Sequence, residues 1–383
     1  MIKILFVFSE HLNKKGGTEK VMMNIFENID KKLFHIDFLL FDDSKEDVPS
    51  EEYLKENGAN IYYIVGRGKN FVKHKKQVAL FFKNHKYDII HSHMDAIGAE
   101  CLKEAKKNKY DMRISHSHNT NQLPNPKGII DLLHKILIET EKHMVRRYAT
   151  HYIACSTEAG EWLFGKKICK DKNKYMLFKN AINLDKYTFD KEIRKEKRAQ
   201  LGIEDKNCLV IGHIGRFDYQ KNHEFVVAVF EQIIKENINS KLVLVGDGEY
   251  KKKIKNYIEN SKYADNVIFL ENRNDVNELL MAFDIFILPS RYEGLSLALI
   301  EAEASGVLCF VSDKTSKESE LTEVIEFLPI TDSLVWKNAI LSKINLIYQR
   351  KDNIEILKEE GFDIKSNIHN LEQFYINGMK YRS

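Results

Sequence analysis

Glu293 and Glu301 stand eight positions apart in the run Arg291-Tyr292-Glu293-Gly294-Leu295-Ser296-Leu297-Ala298-Leu299-Ile300-Glu301, directly after an apolar stretch ending in Leu288-Pro289-Ser290. On a helix, such a separation is a rise of about 12 Å with both side chains on roughly one side. That span suits the two ends of a nucleotide sugar. One carboxylate would accept from sugar hydroxyls and the other from ribose hydroxyls, with a diphosphate over the amides of Gly294 and Leu295 between them. A helix start beyond a strand supplies unpaired N–H groups and the positive end of a dipole, and a glycine lets the ligand approach the backbone. A solvated helix face also carries paired glutamates, and spacing alone does not choose between the two.

A second run, Gly212-His213-Ile214-Gly215-Arg216-Phe217-Asp218-Tyr219-Gln220-Lys221-Asn222, takes a strand into a loop with two cations. A departing diphosphate needs its growing charge neutralised; Arg216 offers a bidentate fork and Lys221 a point charge. Taken alone, such a pair is ordinary surface chemistry; its place at a strand end raises it. Gly16-Gly17-Thr18-Glu19 follows the first strand and suits phosphate contact, although a plain turn explains it almost as well. It is neither G-x-G-x-x-G nor a P-loop.

His91-Ser92-His93 and His116-Ser117-His118 each close a strand, where alternation puts both members of a pair on one face. Two such pairs could hold zinc, but no carboxylate or cysteine cluster accompanies them. They read better as the lining of a polar cleft, donating to sugar or leaving-group oxygens. Asp247, in Val245-Gly246-Asp247-Gly248-Glu249, reads as a turn. With no Asp-x-Asp triplet to clamp a divalent ion on a nucleotide diphosphate, a metal-free mechanism is favoured.

The elements that must position these residues alternate short β-branched runs with longer amphipathic ones, the pattern of parallel sheets with crossover helices. Strands are expected at 2–8, 35–41, 60–65, 88–93, 112–118 and 151–156, and again at 209–214, 241–246, 266–270, 284–289 and 307–312. Helices are expected at 20–29 and 362–381. The stretch Gly128 to Tyr148 reads as an amphipathic basic helix that packs on a core, with contact to an anionic membrane as the alternative. A charged stretch through Lys191 to Arg198 marks the change of domain. The domains are therefore 1–185, 186–361 and a returning helix at 362–383.

The bulk numbers agree with this α/β reading. The 383 residues are enough for two cores, 43% are apolar and 30% charged, and Pro numbers only 5, which argues against disorder. Lys plus Arg at 59 against Asp plus Glu at 56 gives no general attraction to nucleic acid. Five scattered cysteines without a C-x-x-C pair read as buried thiols in a reducing compartment. No signal-peptide pattern and no apolar run long enough for a membrane span appears, so a cytoplasmic protein is expected, at most attached to a membrane face.

Together these residues resemble glycosyltransferase family 4, especially its bacterial members that build capsular or exopolysaccharide repeat units. The resemblance spans nearly the whole chain. It rests on Gly16-Gly17-Thr18-Glu19, Arg113-Ile114-Ser115-His116-Ser117-His118-Asn119, Gly215-Arg216 with Lys221-Asn222, Val245-Gly246-Asp247-Gly248, and Pro289-Ser290 through Glu293-Gly294 to Glu301-Ala302. It implies the GT-B fold, two Rossmann-like doubly wound parallel-sheet domains facing a cleft, the first for the acceptor and the second for the nucleotide sugar. It implies Arg216 and Lys221 on the diphosphate, helped by Gly16, Gly17, Gly294 and Leu295, with Glu301 on the ribose and Arg273 and Asn274 near the base. Glu293 would approach the donor sugar. A histidine would touch that sugar near the reacting carbon, His118 first and His116 second. The implied reaction moves a hexose or N-acetylhexosamine, with retention, from a UDP-sugar to a lipid-linked saccharide. It needs no cofactor or metal.

Two rivals share the fold class: a nucleotide-sugar epimerase or hydrolase, which the four histidines keep alive, and a silent sugar-binding subunit. The intact Arg216, Lys221, Glu293 and Glu301 argue against the second. An NAD-dependent oxidoreductase would need the G-x-G-x-x-G loop that is missing.

Overall fold

The computed structural model describes residues 1–12, 17–42, 44, 48–119, 129–346 and 349–380. They form two compact units, one of residues 1–180 with 364–383 and the other of residues 181–363.

The first unit is built on seven parallel strands: β1 (Ile2–Phe8), β2 (Phe34–Leu40), β3 (Ile61–Tyr63), β4 (Ile89–Ser92), β5 (Met112–Ser117), β6 (His151–Ala154) and β7 (Tyr175–Leu177), in spatial order β3-β2-β1-β4-β5-β6-β7. The second has six: β8 (Leu209–Ile214), β9 (Ser240–Val245), β10 (Val267–Leu270), β11 (Ile285–Leu288), β12 (Leu308–Ser312) and β13 (Ile325–Leu328), in order β10-β9-β8-β11-β12-β13. Helices cover both faces, so the strands run apolar on both sides. Val210 and Val243 pack into one core, while their neighbours Leu209, Ile211, Leu242 and Leu244 pack into another on the opposite face.

In each sheet the order reverses once, between β1 and β4 and between β8 and β11, and a ligand of an open α/β sheet binds outside the strand ends at such a switch point. The histidine pairs close β4 and β5, and Gly17 opens the helix Gly17–Asn28 that follows β1. Arg216 and Lys221 follow β8, and Glu293 follows β11.

Three sequence expectations need adjustment. Strands β7 and β13 are additional; both are edges, short and only half-buried, and give a weak apolar signal. The charged stretch near 191–198 is no linker. It forms the helix Lys191–Gln200, whose Arg194 and Arg198 reach Asp284 at 2.5 and 3.2 Å, so its charges are spent inside the second unit. The units divide at 180/181 and 363/364 because Ile182 and Leu184 join the second core and Ile182 bridges to Asp363. The last helix runs Ile364–Lys380 and groups with the first unit. Its Tyr375 is wholly buried.

Cys101, Cys208 and Cys309 are buried free thiols, whereas Cys155 and Cys169, also expected to be buried, are only half so. Among the described residues, no helix is long and apolar enough to cross a membrane.

Candidate functional site

The loop after β8 and the loop after β11 are stitched together residue by residue. The Arg291 amide donates to the Gln220 carbonyl at 2.8 Å, Gln220 returns a side-chain bond to the Tyr292 carbonyl at 3.0 Å, and Asn222 donates to the Pro289 carbonyl at 3.1 Å. Asn222 takes the left-handed conformation, φ 56°, which turns the chain into the helix His223–Lys235. Lys221 forms an ion pair with Glu293, whose Oε2 also accepts from Ser290 Oγ at 3.1 Å. The stem of Lys221 lies over Gly215, where a Cβ would come within 3.1 Å of Lys221 Cγ. Arg216 is exposed at the mouth of the same loop.

The turn at Asp247 backs this assembly, which explains its two glycines. Gly246 and Gly248 have φ 141° and 150°, and a side chain on Gly246 would meet the Gly215 carbonyl oxygen at 2.1 Å. The Phe217 amide donates to the Asp247 carbonyl at 2.9 Å. Asp247 thus serves as the turn that the sequence suggested.

Glu293 departs from its sequence placement. The helix spans only Leu297–Ala304, and Glu293 lies ahead of it in a bridge to Thr315, accepting from the Ser316 amide at 3.0 Å. The pair therefore does not share a helix face: one carboxylate is held by a loop and the other by the second turn of the helix. Between them, Gly294 is exposed with open space where a Cβ would sit, and its φ is not positive. Nothing within the protein requires a glycine there, so the open backbone is available to something that approaches from outside. Leu295 half-packs against the core behind it. At the helix start, Ser296 makes no side-chain cap, and its carbonyl accepts from the Leu299 and Ile300 amides at 3.1 Å.

Glu301 is nearly buried and accepts from the Tyr187 hydroxyl, whose pKa burial and that carboxylate push far up. Glu303, two positions on, faces away into the protein. There Oε1 takes the Thr322 amide and hydroxyl at 3.0 and 2.9 Å, Oε2 has no partner, and burial pushes the carboxyl up to about 8. Arg273 and Asn274 are exposed beyond edge strand β10, and the Arg273 fork is occupied by Asp275 through two bonds of 2.6 Å.

At the other switch point alternation does place the histidines on one face, in a continuous stack. Ring centroids are 4.1 Å apart for His91 and His93 and 4.0 Å for His116 and His118. Hydrogen bonds join the strands, His91 Nε2 to His116 Nδ1 at 3.1 Å and His93 Nδ1 to His118 Nε2 at 3.0 Å. His91 Nδ1 meets the Tyr375 hydroxyl at 2.7 Å. Desolvation holds His91, His93 and His116 well below the usual imidazole range and brings His118 to about 3, so all four are neutral at physiological pH.

His91, His93 and His116 bring one ring nitrogen each within 4.8 Å of the others. Imidazole lone pairs lie in the ring plane, however, and near-parallel rings aim theirs side by side rather than at one point. Both nitrogens of His91 are already hydrogen-bonded. The stack also corrects the expected cleft lining, since His91, His93 and His116 are buried. Of the two candidates, only His118 presents surface, and His116 lies behind it. Asp95, left-handed at φ 47°, fixes the strand end by accepting from the His118 amide at 2.7 Å and from Asn119 Nδ2 at 2.8 Å.

Several of these partners carry no local sequence signal: Tyr187, Asp95, Tyr375, and His223, which stacks on Phe217 at 3.8 Å. Gly17 is exposed at a helix start, and Gly16 lies outside the described residues.

Two doubly wound parallel sheets, each with one switch point, are the architecture of the GT-B class of folds. Residues 193–324, within the second unit, match the family described as glycosyl transferases group 1. The chain is 27% identical over 368 residues to EpsF of Bacillus subtilis, covering 94% of this chain and 93% of that one. It is 25% identical to an Escherichia coli UDP-Gal:alpha-D-GlcNAc-diphosphoundecaprenol alpha-1,3-galactosyltransferase, over 94% of each chain. Among solved structures, Anabaena HepE in complex with UDP superposes with a TM-score of 0.75 at 17% identity, covering 97% of this chain and 99% of that one. That likeness bears on the fold, which is the GT-B architecture expected.

Proposed function

We propose that the protein is a retaining, metal-independent glycosyltransferase that moves a hexose or N-acetylhexosamine from a UDP-sugar to a saccharide carried on a lipid diphosphate, at the inner face of a membrane, in the making of a surface polysaccharide. The observation that carries the donor site is the stitched pair of loops, with Lys221 held on Glu293 beside the unobstructed backbone of Gly294. On donor binding, Lys221 exchanges its carboxylate partner for the diphosphate and Arg216 closes from outside. The amides from Gly294 into the helix start take phosphate oxygens, Glu301 turns from Tyr187 to the ribose hydroxyls, and Glu293 is freed towards the sugar.

In the transfer, the bond from the anomeric carbon to the diphosphate oxygen breaks while the acceptor oxygen bonds to the same face of that carbon. The acceptor proton passes to the departing diphosphate. No side-chain nucleophile is consumed. The protein contributes position and charge. The relatives support the polysaccharide reading: the Escherichia coli enzyme's name specifies a UDP-sugar donor and a diphosphoundecaprenol acceptor, and a Staphylococcus aureus relative, CapH, is named for capsular polysaccharide biosynthesis.

The test is thermal stability with uridine, guanosine or adenosine diphosphate, with and without chelator, on wild type and Glu301→Ala. A selective native-state ligand must raise apparent stability. UDP is expected to do so regardless of chelator, and much less for Glu301→Ala. No shift with any diphosphate at saturation would refute the donor site.

A further inference from the structure

A cavity of about 170 Å³ opens beside the loop after β8. Its lining includes Tyr219 of that loop, His223 and Glu224 of the helix His223–Lys235, Tyr250 and Lys253 about the start of the helix Lys251–Glu259, and Arg291 of the loop after β11. None of Arg216, Lys221, Glu293, Gly294 and Glu301 lines it, so it is distinct from the proposed donor site. It has room for one six-membered ring, since a cavity of about 150 Å³ holds benzene.

Polar atoms beside this cavity lack partners. His223 is 2% exposed, and among the described residues neither of its ring nitrogens is hydrogen-bonded. The ring is stacked on Phe217 at 3.8 Å and meets His213 edge-on at 4.6 Å. Burial pushes its pKa down to about 2, so the imidazole is neutral and offers one N–H and one bare nitrogen. Arg291 Nε is buried without an acceptor. Buried polar groups are normally satisfied and costly when they are not. A hydroxyl both donates and accepts and so suits a neutral imidazole; a phosphate or carboxylate only accepts.

The charges around the cavity cancel. Glu224 lies 2.5 Å from Lys253 and 3.9 Å from Arg291, and Asp218 accepts from the Lys221 amide at 3.0 Å. An anion would have to displace Glu224 from both cations, whereas a neutral ligand would not. Tyr219 is 57% exposed, with the Arg291 guanidinium 4.4 Å from its ring centre. Tyrosine rings beside carboxylates, a guanidinium and an imidazole suit the two sides of a sugar ring, its C–H face against the aromatics and its hydroxyls on the polar groups.

We propose that this cavity binds one neutral pyranosyl residue of a saccharide, apart from the donor site. Asp218 and Tyr219 stand between Arg216 and Lys221 in the chain, so the occupant braces the loop assigned to the diphosphate. That consequence rests on the transferase reading, while the binding itself is measured without catalysis.

The experiment is saturation-transfer NMR with methyl α-glucopyranoside, methyl α-galactopyranoside and methyl N-acetyl-α-glucosaminide, at saturating UDP, with inorganic phosphate as competitor. The proteins are wild type, Tyr219→Ala and Glu224→Ala/Lys253→Ala, all changed at exposed side chains. Wild type should bind at least one glycoside in the millimolar range, and phosphate should leave that signal unchanged. Each variant should weaken the affinity about fivefold, the worth of one aromatic or polar contact, with melting and its shift by UDP as in wild type. No signal with any glycoside, a signal that phosphate removes, or full affinity in either variant would overturn the inference. So would loss of the glycoside signal together with the UDP shift, which would put the sugar in the donor site. Glycoside binding by a wild type that shows no UDP shift would sink the transferase reading and leave the cavity standing.

Discussion

The ends of β4 and β5 and the ends of β8 and β11 hold equivalent places in their sheets, yet they are built from opposite materials. The first is a stack of neutral imidazoles, bonded to one another and to Tyr375, with only His118 reaching the surface. The second consists of charged side chains on loops, with Arg216 exposed and Lys221 paired to Glu293 just below the surface. Burial sets the difference: it keeps the histidines uncharged, while the loops leave Arg216 exposed to meet a phosphate. A topological switch point fixes where a ligand lies; depth below the surface decides which electrical task the site can perform.

Acid should break this comparison most strongly. A histidine held neutral in the folded state but titrating near 6.5 when unfolded binds fewer protons in the native form. Its stabilisation is present above about 6.5 and is lost as pH falls towards the folded value, at about 1.4 kcal/mol per pH unit for each such group. His118 lies at about 3, with three more lowered imidazoles beside it, whereas the second unit holds His213 at about 4 and His223 at about 2. Ordinary carboxylates titrate below about 4.5, so between 6.5 and 4.5 the histidines are opposed by carboxyls that burial raises, Asp95 and Glu141 in the first unit and Glu303 in the second, and the histidines outnumber them in the first unit. Calorimetry from pH 7 to 5 should show the unit of residues 1–180 losing melting temperature first and furthest. An unchanged melting profile over that window would mean the stack is not held neutral.

The charged end predicts an effect on catalysis. Lys221→Ala should lower the transfer rate from a UDP-sugar by about 10²- to 10³-fold, the usual consequence of deleting a preorganised charge at a leaving group, and should also lower the melting temperature, because Lys221 and Glu293 are only 14 and 11% exposed and the carboxylate loses its partner. Initial rates at saturating donor measure it. A loss below tenfold would move the leaving-group role to Arg216 and the helix amides.

Much of this division was legible in the sequence. Strand-end pairs such as His91 with His93 are readable because alternation has period two, and the central strands because parallel strands buried on both faces leave nearly continuous apolar runs. What escaped was whatever depended on depth or on distant partners. Glu293 looked helical because the apolar run Leu295 to Ile300 follows it, yet the loop must first bridge to Thr315. Nothing local marks Tyr375 as the partner of His91, 284 positions away. Depth also turned the apparent cleft lining of His91, His93 and His116 into an enclosed stack, and the charges of Arg194 and Arg198 into internal bonds.

The smallest expected effect sharpens the contrast within one helix. Glu301 and Glu303 are two positions apart, and only the first faces the proposed donor site. Burial raises the Glu303 carboxyl to about 8, so the folded protein keeps it protonated while the unfolded chain ionises near 4.5. The stability associated with that proton is complete below about 4.5 and is lost as pH rises through about 8, opposite in sign to the histidines. Gln at this position keeps an acceptor for the Thr322 amide and hydroxyl and cannot ionise. Glu303→Gln should therefore melt close to wild type near pH 5 and progressively above it towards pH 8, with UDP binding unchanged at either pH. A melting difference that does not vary with pH would show that Glu303 is ionised in the folded protein, and the two glutamates would then differ in partners alone rather than in charge.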